Sequence, residues 1–135
     1  MKEAKVFTLE EANGLLPQLS ELLAVLRSKG DEIGHLEVKI DAQELVSDPE
    51  SELRARELGM LTKKHQSLIS QFYQIVDEIH SHGCFLKDVD VGLIDFYGSV
   101  NGKVVFYCWL LGEEKVSFWH EVDKGFASRE QLLES

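Results

Sequence analysis

The sequence predicts an α+β fold: a long antiparallel two-helix hairpin followed by a small antiparallel β-meander of three strands, with a fourth available. Apolar residues recur three and four apart through the first 82 residues, the spacing of a helix face. After Gly83 the period falls to two, the spacing of a strand. The stretch from Gly83 to Arg129 also holds nine of the twelve aromatic residues and both cysteines, so the helices read as its support.

The chain opens with Val6 and Phe7, a short strand or a hydrophobic staple. Thr8-Leu9-Glu10-Glu11 then reads as a capping box, with Thr8 as N-cap and Glu11 three positions on. Phe7 would close the staple on Ala12 or Leu15. Pro17 lies too far inside for a first-turn proline, so it is expected to kink or divide the helix. The apolar seam runs Leu15, Leu19, Leu22, Leu26, Ile33, Leu36 and Ile40, with Lys29 in one slot and Gly30 and Gly34 as weak points.

Ser47-Asp48-Pro49 is a break and restart. Ser47 or Asp48 can cap, and Pro49 suits the first position of a second helix. That helix carries Leu58, Leu61, His65, Leu68, Phe72, Ile75 and Ile79, and Gly83 suits its end. Two helices of about 30 residues make a hairpin of about 45 Å.

In the meander, Leu93 to Tyr97 is one strand, Lys103 to Leu110 a second and Val116 to Glu121 a third. Cys84 to Lys87 is the candidate edge strand. Asn101-Gly102 signals a type I′ turn, and Gly112-Glu113 fits a two-residue II′ turn. Those turns set the pairing Tyr97–Phe106, Asp95–Cys108 and Ile94–Trp109, then Trp109–Val116, Cys108–Ser117, Phe106–Trp119 and Val105–His120. His120 then shares a face with Ile94, Phe96, Val105, Tyr107, Trp109, Val116 and Phe118, and that face packs on the helices. The opposite face holds Leu93, Leu110, Tyr97, Phe106 and Trp119 around the row Asp95, Cys108, Ser117. It is too aromatic to meet water and reads as an interface or site. A slip of one residue in either turn would swap the faces. The polar tail from Ser128 to Ser135 is expected to fray or form one helical turn.

Length places the chain as one domain, 1–135, with the hairpin over 8–82, the meander over 84–122 and a tail over 123–135. Fourteen basic against 24 acidic residues give a net charge of −10. This acidic balance argues against nucleic acid or anionic membrane as partner, because phosphate affinity needs clustered Lys and Arg. No apolar run reaches membrane-spanning length and no signal peptide is evident, so a cytoplasmic location is expected, with both cysteines as free thiols. No phosphate loop, GxSxG, HExxH or CxxC occurs, and no cofactor is implied.

The elements VFTLEEANGLLPQL, GLIDF, CWLLGE, WH and GFASR together resemble a bacterial family known as domain of unknown function 2203. The resemblance covers nearly the whole chain. Its pattern takes in Gly92, Leu93, Asp95, Phe96, Cys108, Trp109, Gly112, Glu113, Trp119, His120, Gly125, Phe126 and Arg129. It implies no activity, substrate or cofactor, and His82 and Cys84 fall outside it.

The candidate binding residues are Asp95, Cys108, Glu113, Trp119, His120 and Arg129. The Asp95–Cys108–Ser117 row, with Trp119 diagonal to it, suits a thiol site or part of a metal site. It is short of ligands while His120 points to the other face, and Cys108 reads equally as a small buried hydrophobe. His120 beside Glu121 and Asp123 suits a general base, or a buried histidine bonded to a carbonyl. Arg129 suits an anion, or a pair with Glu121. His80, His82 and Cys84 place two imidazoles and a thiol within five residues, a weak metal candidate because the histidines diverge on a helix. His65 on the seam reads as a register device. Asp88 and Asp90 form a carboxylate pair without the loop of a calcium site.

Two readings follow. The first is a non-enzymatic homo-oligomeric binding or assembly module, a dimer or tetramer closed by pairing of hairpins. The second is a small-molecule or metal-dependent enzyme with its site near the sheet edge and the turn 121–129.

Overall fold

A computed structural model describes residues 4–46 and 50–132. Helix α1 spans Leu9–Val46 and α2 spans Glu52–Ser81. Five strands follow: β1 Phe85–Asp88, β2 Leu93–Val100, β3 Lys103–Leu110, β4 Phe118–His120 and β5 Glu130–Gln131. They form one antiparallel sheet in chain order. The class is the expected α+β, with two strands more than the minimum read from sequence. Contacts gather the chain into two compact units, one within Met1–Ala24 and Asp77–Ser135, the other Val25–Val76. No helix among the described residues is long and apolar enough to cross a membrane.

The capping box at the start of α1 forms as read. The Thr8 N–H donates to Glu11 Oε1 at 2.9 Å, and the Glu11 N–H donates to Thr8 Oγ1 at 3.0 Å. Phe7 is anchored to the sheet. Its N–H donates to the Tyr97 carbonyl at 2.7 Å, and its ring meets Phe96 edge-on.

Pro17 does not divide α1, which continues through it. Pro17 itself is exposed, and the buried line Ala12, Leu16, Leu19, Leu23 and Leu26 runs unbroken past it. Tertiary burial here outweighs one lost helical hydrogen bond. That line also corrects the expected seam: Leu16 and Leu23 are buried where Leu15 and Leu22 were expected. Gly30 replaces Lys29 in the next slot, since a Cβ on it would lie 3.6 Å from the Phe72 ring.

In the unit Val25–Val76 the two helices close on Ile33, Leu36 and Leu68, flanked by Ile40, Leu61, Ile69 and Phe72. His65 sits on this seam with Nε2 3.5 Å from Glu37 Oε2. The caps read at Ser47 or Asp48, and Pro49, lie outside the described residues. Ser51 serves α2, accepting the Arg54 N–H at 3.3 Å. Beyond the last turn of α2, Gly83 takes φ +94°, the left-handed region that suits glycine at a helix end.

Asn101 and Gly102, at φ +53° and +79°, make the expected type I′ turn. The β2–β3 register agrees with the reading from Leu93↔Leu110 to Val100↔Lys103. The β3–β4 register does not. It runs Phe106↔His120, Tyr107↔Trp119 and Cys108↔Phe118, one residue from expectation. The turn sits earlier than Gly112-Glu113: the Glu113 N–H donates to the Leu110 carbonyl at 2.9 Å, with Leu111 and Gly112 central and Gly112 at φ +103°. Positive φ at the second central residue marks a type II turn. Trp109 Nε1–H then donates to the Glu113 carbonyl at 2.9 Å, and the Val116 N–H donates to Asn13 Oδ1 at 2.7 Å. The Lys115–Ser117 stretch is thereby held off a continuous hairpin, and β4 begins only at Phe118.

Because side chains alternate along a strand, that slip exchanges the faces of β4. His120 moves to the face of Asp95, Cys108 and Phe106, while Trp119 moves to the face of Phe96 and Tyr107. The expected aromatic surface is not open either. Phe106, Cys108, Asp95 and His120 are all buried, under a cluster in which Phe85 meets Tyr97 and Phe106 edge-on and Tyr97 stacks on Phe106. The tail neither frays nor coils through 130–131. Glu130 and Gln131 pair with β4, and the Leu132 N–H donates to the Ser117 carbonyl at 2.8 Å.

Candidate functional site

Asp95 on β2, Cys108 on β3 and His120 on β4 meet on one face of three neighbouring strands. One donor atom from each lies within 4.8 Å of the others, and all three residues are buried. Asp95 and Cys108 are direct cross-strand partners, and His120 reaches them diagonally from its place opposite Phe106.

The hydrogen bonds of His120 assign its protons. Nδ1 lies 2.8 Å from the Glu121 carbonyl oxygen, which can only accept, so Nδ1 carries a proton. Nε2 lies 3.0 Å from Asp95 Oδ2, and those two atoms share one further proton. The other Asp95 oxygen, Oδ1, is buried without a hydrogen-bond partner of good geometry, although the Cys108 thiol is close enough to act on the carboxylate.

Burial pushes the Asp95 carboxyl above the usual carboxylate range, against the opposing pull of His120. Burial also pushes the Cys108 thiol up to about 12, with Asp95 adding to it and Arg129 opposing. Burial thus favours the protonated form of Cys108 over the thiolate that acts as a nucleophile.

Arg129 and Glu113 form the wall beside this cluster. The guanidinium donates to Glu113 Oε1 at 3.1 Å and Oε2 at 2.7 Å, a two-pronged fork. It stacks over Phe118 at 3.9 Å and Phe126 at 4.3 Å. Burial alone would depress the arginine, but the Glu113 contact more than offsets it and holds the group above its ordinary value. Glu113 also accepts the Leu110 N–H at 2.8 Å, so it ends β3 as well as holding Arg129. The partner considered from sequence, Glu121, instead takes Lys103 at 2.6 Å. On the open side, Lys87 lies over Phe85 and Phe106.

Trp119 is separated from the cluster. It lines a cleft of about 500 Å³ with Leu9, Ser99, Tyr107 and Gln131 on the opposite face. Nor are His80, His82 and Cys84 brought together. His80 Nε2 accepts the Leu86 N–H at 3.2 Å, and the Cys84 thiol donates to the Ile79 carbonyl at 3.3 Å. Burial pushes Cys84 up to about 11, and His82 Nε2 is buried without a hydrogen-bond partner. Asp88 turns on its own backbone, its carboxylate accepting the N–H groups of Asp90 and Val91.

The reading from sequence missed the Asp95–His120 contact, the aromatic seat of Arg129 and the Asn13–Val116 bond. One signal was available. Leu111-Gly112 fits the centre of a type II turn as well as Gly112-Glu113 fits II′, and that choice moves His120. What the cluster can do follows from its atoms: a carboxylate, a thiol and an imidazole nitrogen converge in a buried place, as the donors of a soft-metal site do.

No curated protein and no solved structure matches the chain. The family model described as "Uncharacterized conserved protein (DUF2203)" matches residues 5–132, and the chain belongs to that family.

Proposed function

We infer that this chain is a non-enzymatic assembly module that associates with copies of itself through its helical hairpin. One observation carries the reading. Val38 and Leu45 on α1, and Leu53 and Met60 on α2, are exposed by 68%, 85%, 66% and 72%. Each pair is seven residues apart, so each helix presents a second apolar line outside its intramolecular seam. A second copy offers the same two lines, and association of hairpins would cover them. Two buried, unpaired thiols support a reducing, cytoplasmic setting for such a module.

The other reading, a small-molecule or metal-dependent enzyme near the sheet edge and the 121–129 turn, draws support from the buried Asp95–Cys108–His120 cluster. Against it stands the mutual engagement of Arg129 and Glu113, which ties up the groups that would meet a substrate.

Light scattering on the untagged chain at tens of micromolar tests the assembly reading. A dimer or tetramer is expected, and Leu45→Lys with Met60→Lys should give a monomer of unchanged helicity. A wild-type chain that elutes as a clean monomer sinks it.

A further inference from the structure

We propose that Asp95, Cys108 and His120 bind one thiophilic divalent cation of the zinc type, stapling β2, β3 and β4 together from within. Thiolate, imidazole and carboxylate are the donors such ions take, and the thiol disfavours magnesium and calcium. The donor atoms already lie within 4.8 Å of one another in three buried side chains. With bonds of about 2.0–2.3 Å, donors on a tetrahedral ion sit about 3.3–3.8 Å apart. The His120–Asp95 separation of 3.0 Å therefore opens slightly, and the widest separation closes by about 1 Å.

Two further features point to a ligand. Asp95 Oδ1 is a buried acceptor with no hydrogen bond of good geometry, only the weak donor Cys108 beside the carboxylate, a costly state that a cation would relieve. His120 donates Nδ1–H to the Glu121 carbonyl, which fixes the ring and aims Nε2 into the cluster, the second-shell arrangement that orients metal-binding histidines.

Charge balances without residue. The ion displaces the thiol proton and the proton shared between Asp95 and His120. A carboxylate, a thiolate and a neutral imidazole then face two positive charges, so the buried group is neutral before and after binding. Arg129, whose charge opposes a cation, is neutralised by its fork to Glu113. Three protein ligands leave a fourth position to water or to the second Asp95 oxygen.

The test is a titration of the untagged, chelator-treated chain with Co²⁺, followed by competition with Zn²⁺. One Co²⁺ per chain is expected, with the visible bands of tetrahedral cobalt and a near-ultraviolet thiolate-to-cobalt band that Zn²⁺ abolishes. Cys84→Ser should keep the thiolate band and Cys108→Ser should lose it. Asp95→Asn and His120→Gln should each weaken binding at least about tenfold, since even supporting partners of metal ligands cost that much. Zinc-edge X-ray absorption of the wild type should show one sulfur among nitrogen and oxygen neighbours, a readout that needs no variant to fold. No stoichiometric ion at millimolar metal, a shell without sulfur, or a thiolate band lost in Cys84→Ser would each overturn the assignment.

Discussion

Arg129 grips Glu113 with both terminal nitrogens, at 3.1 and 2.7 Å, while its guanidinium plane rests on Phe118 and Phe126. This contact ties the segment after the last turn to the end of β3. Arg129→Lys keeps the charge but loses the fork and the stacking surface. It should cost about 2 kcal/mol in urea unfolding. A double-mutant cycle with Glu113→Gln should recover most of that loss as coupling; additive losses would show that the two side chains act independently.

Tyr107 lies across Gly98. A Cβ placed on Gly98 would stand 2.2 Å from the Tyr107 ring, whose hydroxyl donates to the Ser99 carbonyl at 3.0 Å. Gly98→Ala must push a buried ring off its hydrogen bond. The expected loss is about 1–3 kcal/mol, read as a lower unfolding midpoint, and Gly98→Ala with Tyr107→Leu should regain part of it. An unchanged midpoint in the single variant would refute the contact.

The Thr8–Glu11 box should make stability depend on acid. The Thr8 backbone N–H chiefly, with Lys5 adding to it, holds the Glu11 carboxyl below its ordinary value of 4.5. A carboxylate lowered on folding stabilises the fold above its unfolded pKa, and that contribution is lost as pH falls through the folded value. Glu11→Gln should therefore flatten the acid limb of the stability profile below pH 4.5 and leave its alkaline side alone. Thr8→Ala should cost about 1 kcal/mol at neutral pH. Thermal melts from pH 3 to 8 check both.

Neither thiol should react while the chain is folded. Cys84 and Cys108 are buried and held at about 11 and about 12. At pH 8 nearly all of both thiols would therefore be protonated. An aromatic disulfide reagent should find no fast thiol in the native chain and two in denaturant. A fast native thiol would contradict the burial of its cysteine.

What could be read in advance shares one property: its partners are close in sequence. The Thr8–Glu11 box spans three residues, and the Asn101-Gly102 turn sets the β2–β3 register through the two strands it joins. The seam of α2 from Leu58 to Ile79 follows from helical spacing alone, and none of its seven residues is exposed. On α1 the same spacing left two adjacent lines of leucines open, and only packing chose Leu16 and Leu23 over Leu15 and Leu22. Continuity through Pro17 was likewise settled by burial on both sides of it.

The candidate site depended on a choice that adjacent residues leave nearly even. Local propensity lets the turn after Leu110 centre on Leu111-Gly112 or on Gly112-Glu113, and the two differ by one residue of register. Distant groups decide it: Asn13 holds Val116 from across 103 residues, Glu113 holds Arg129, and Leu132 pairs with Ser117. The sequence by itself determined the start of α1, the seam of α2, the first hairpin and the face shared by Asp95 and Cys108. Only the tertiary structure decided that His120 joins them, because a strand's side chains alternate and a shift of one residue sends each to the other side of the sheet.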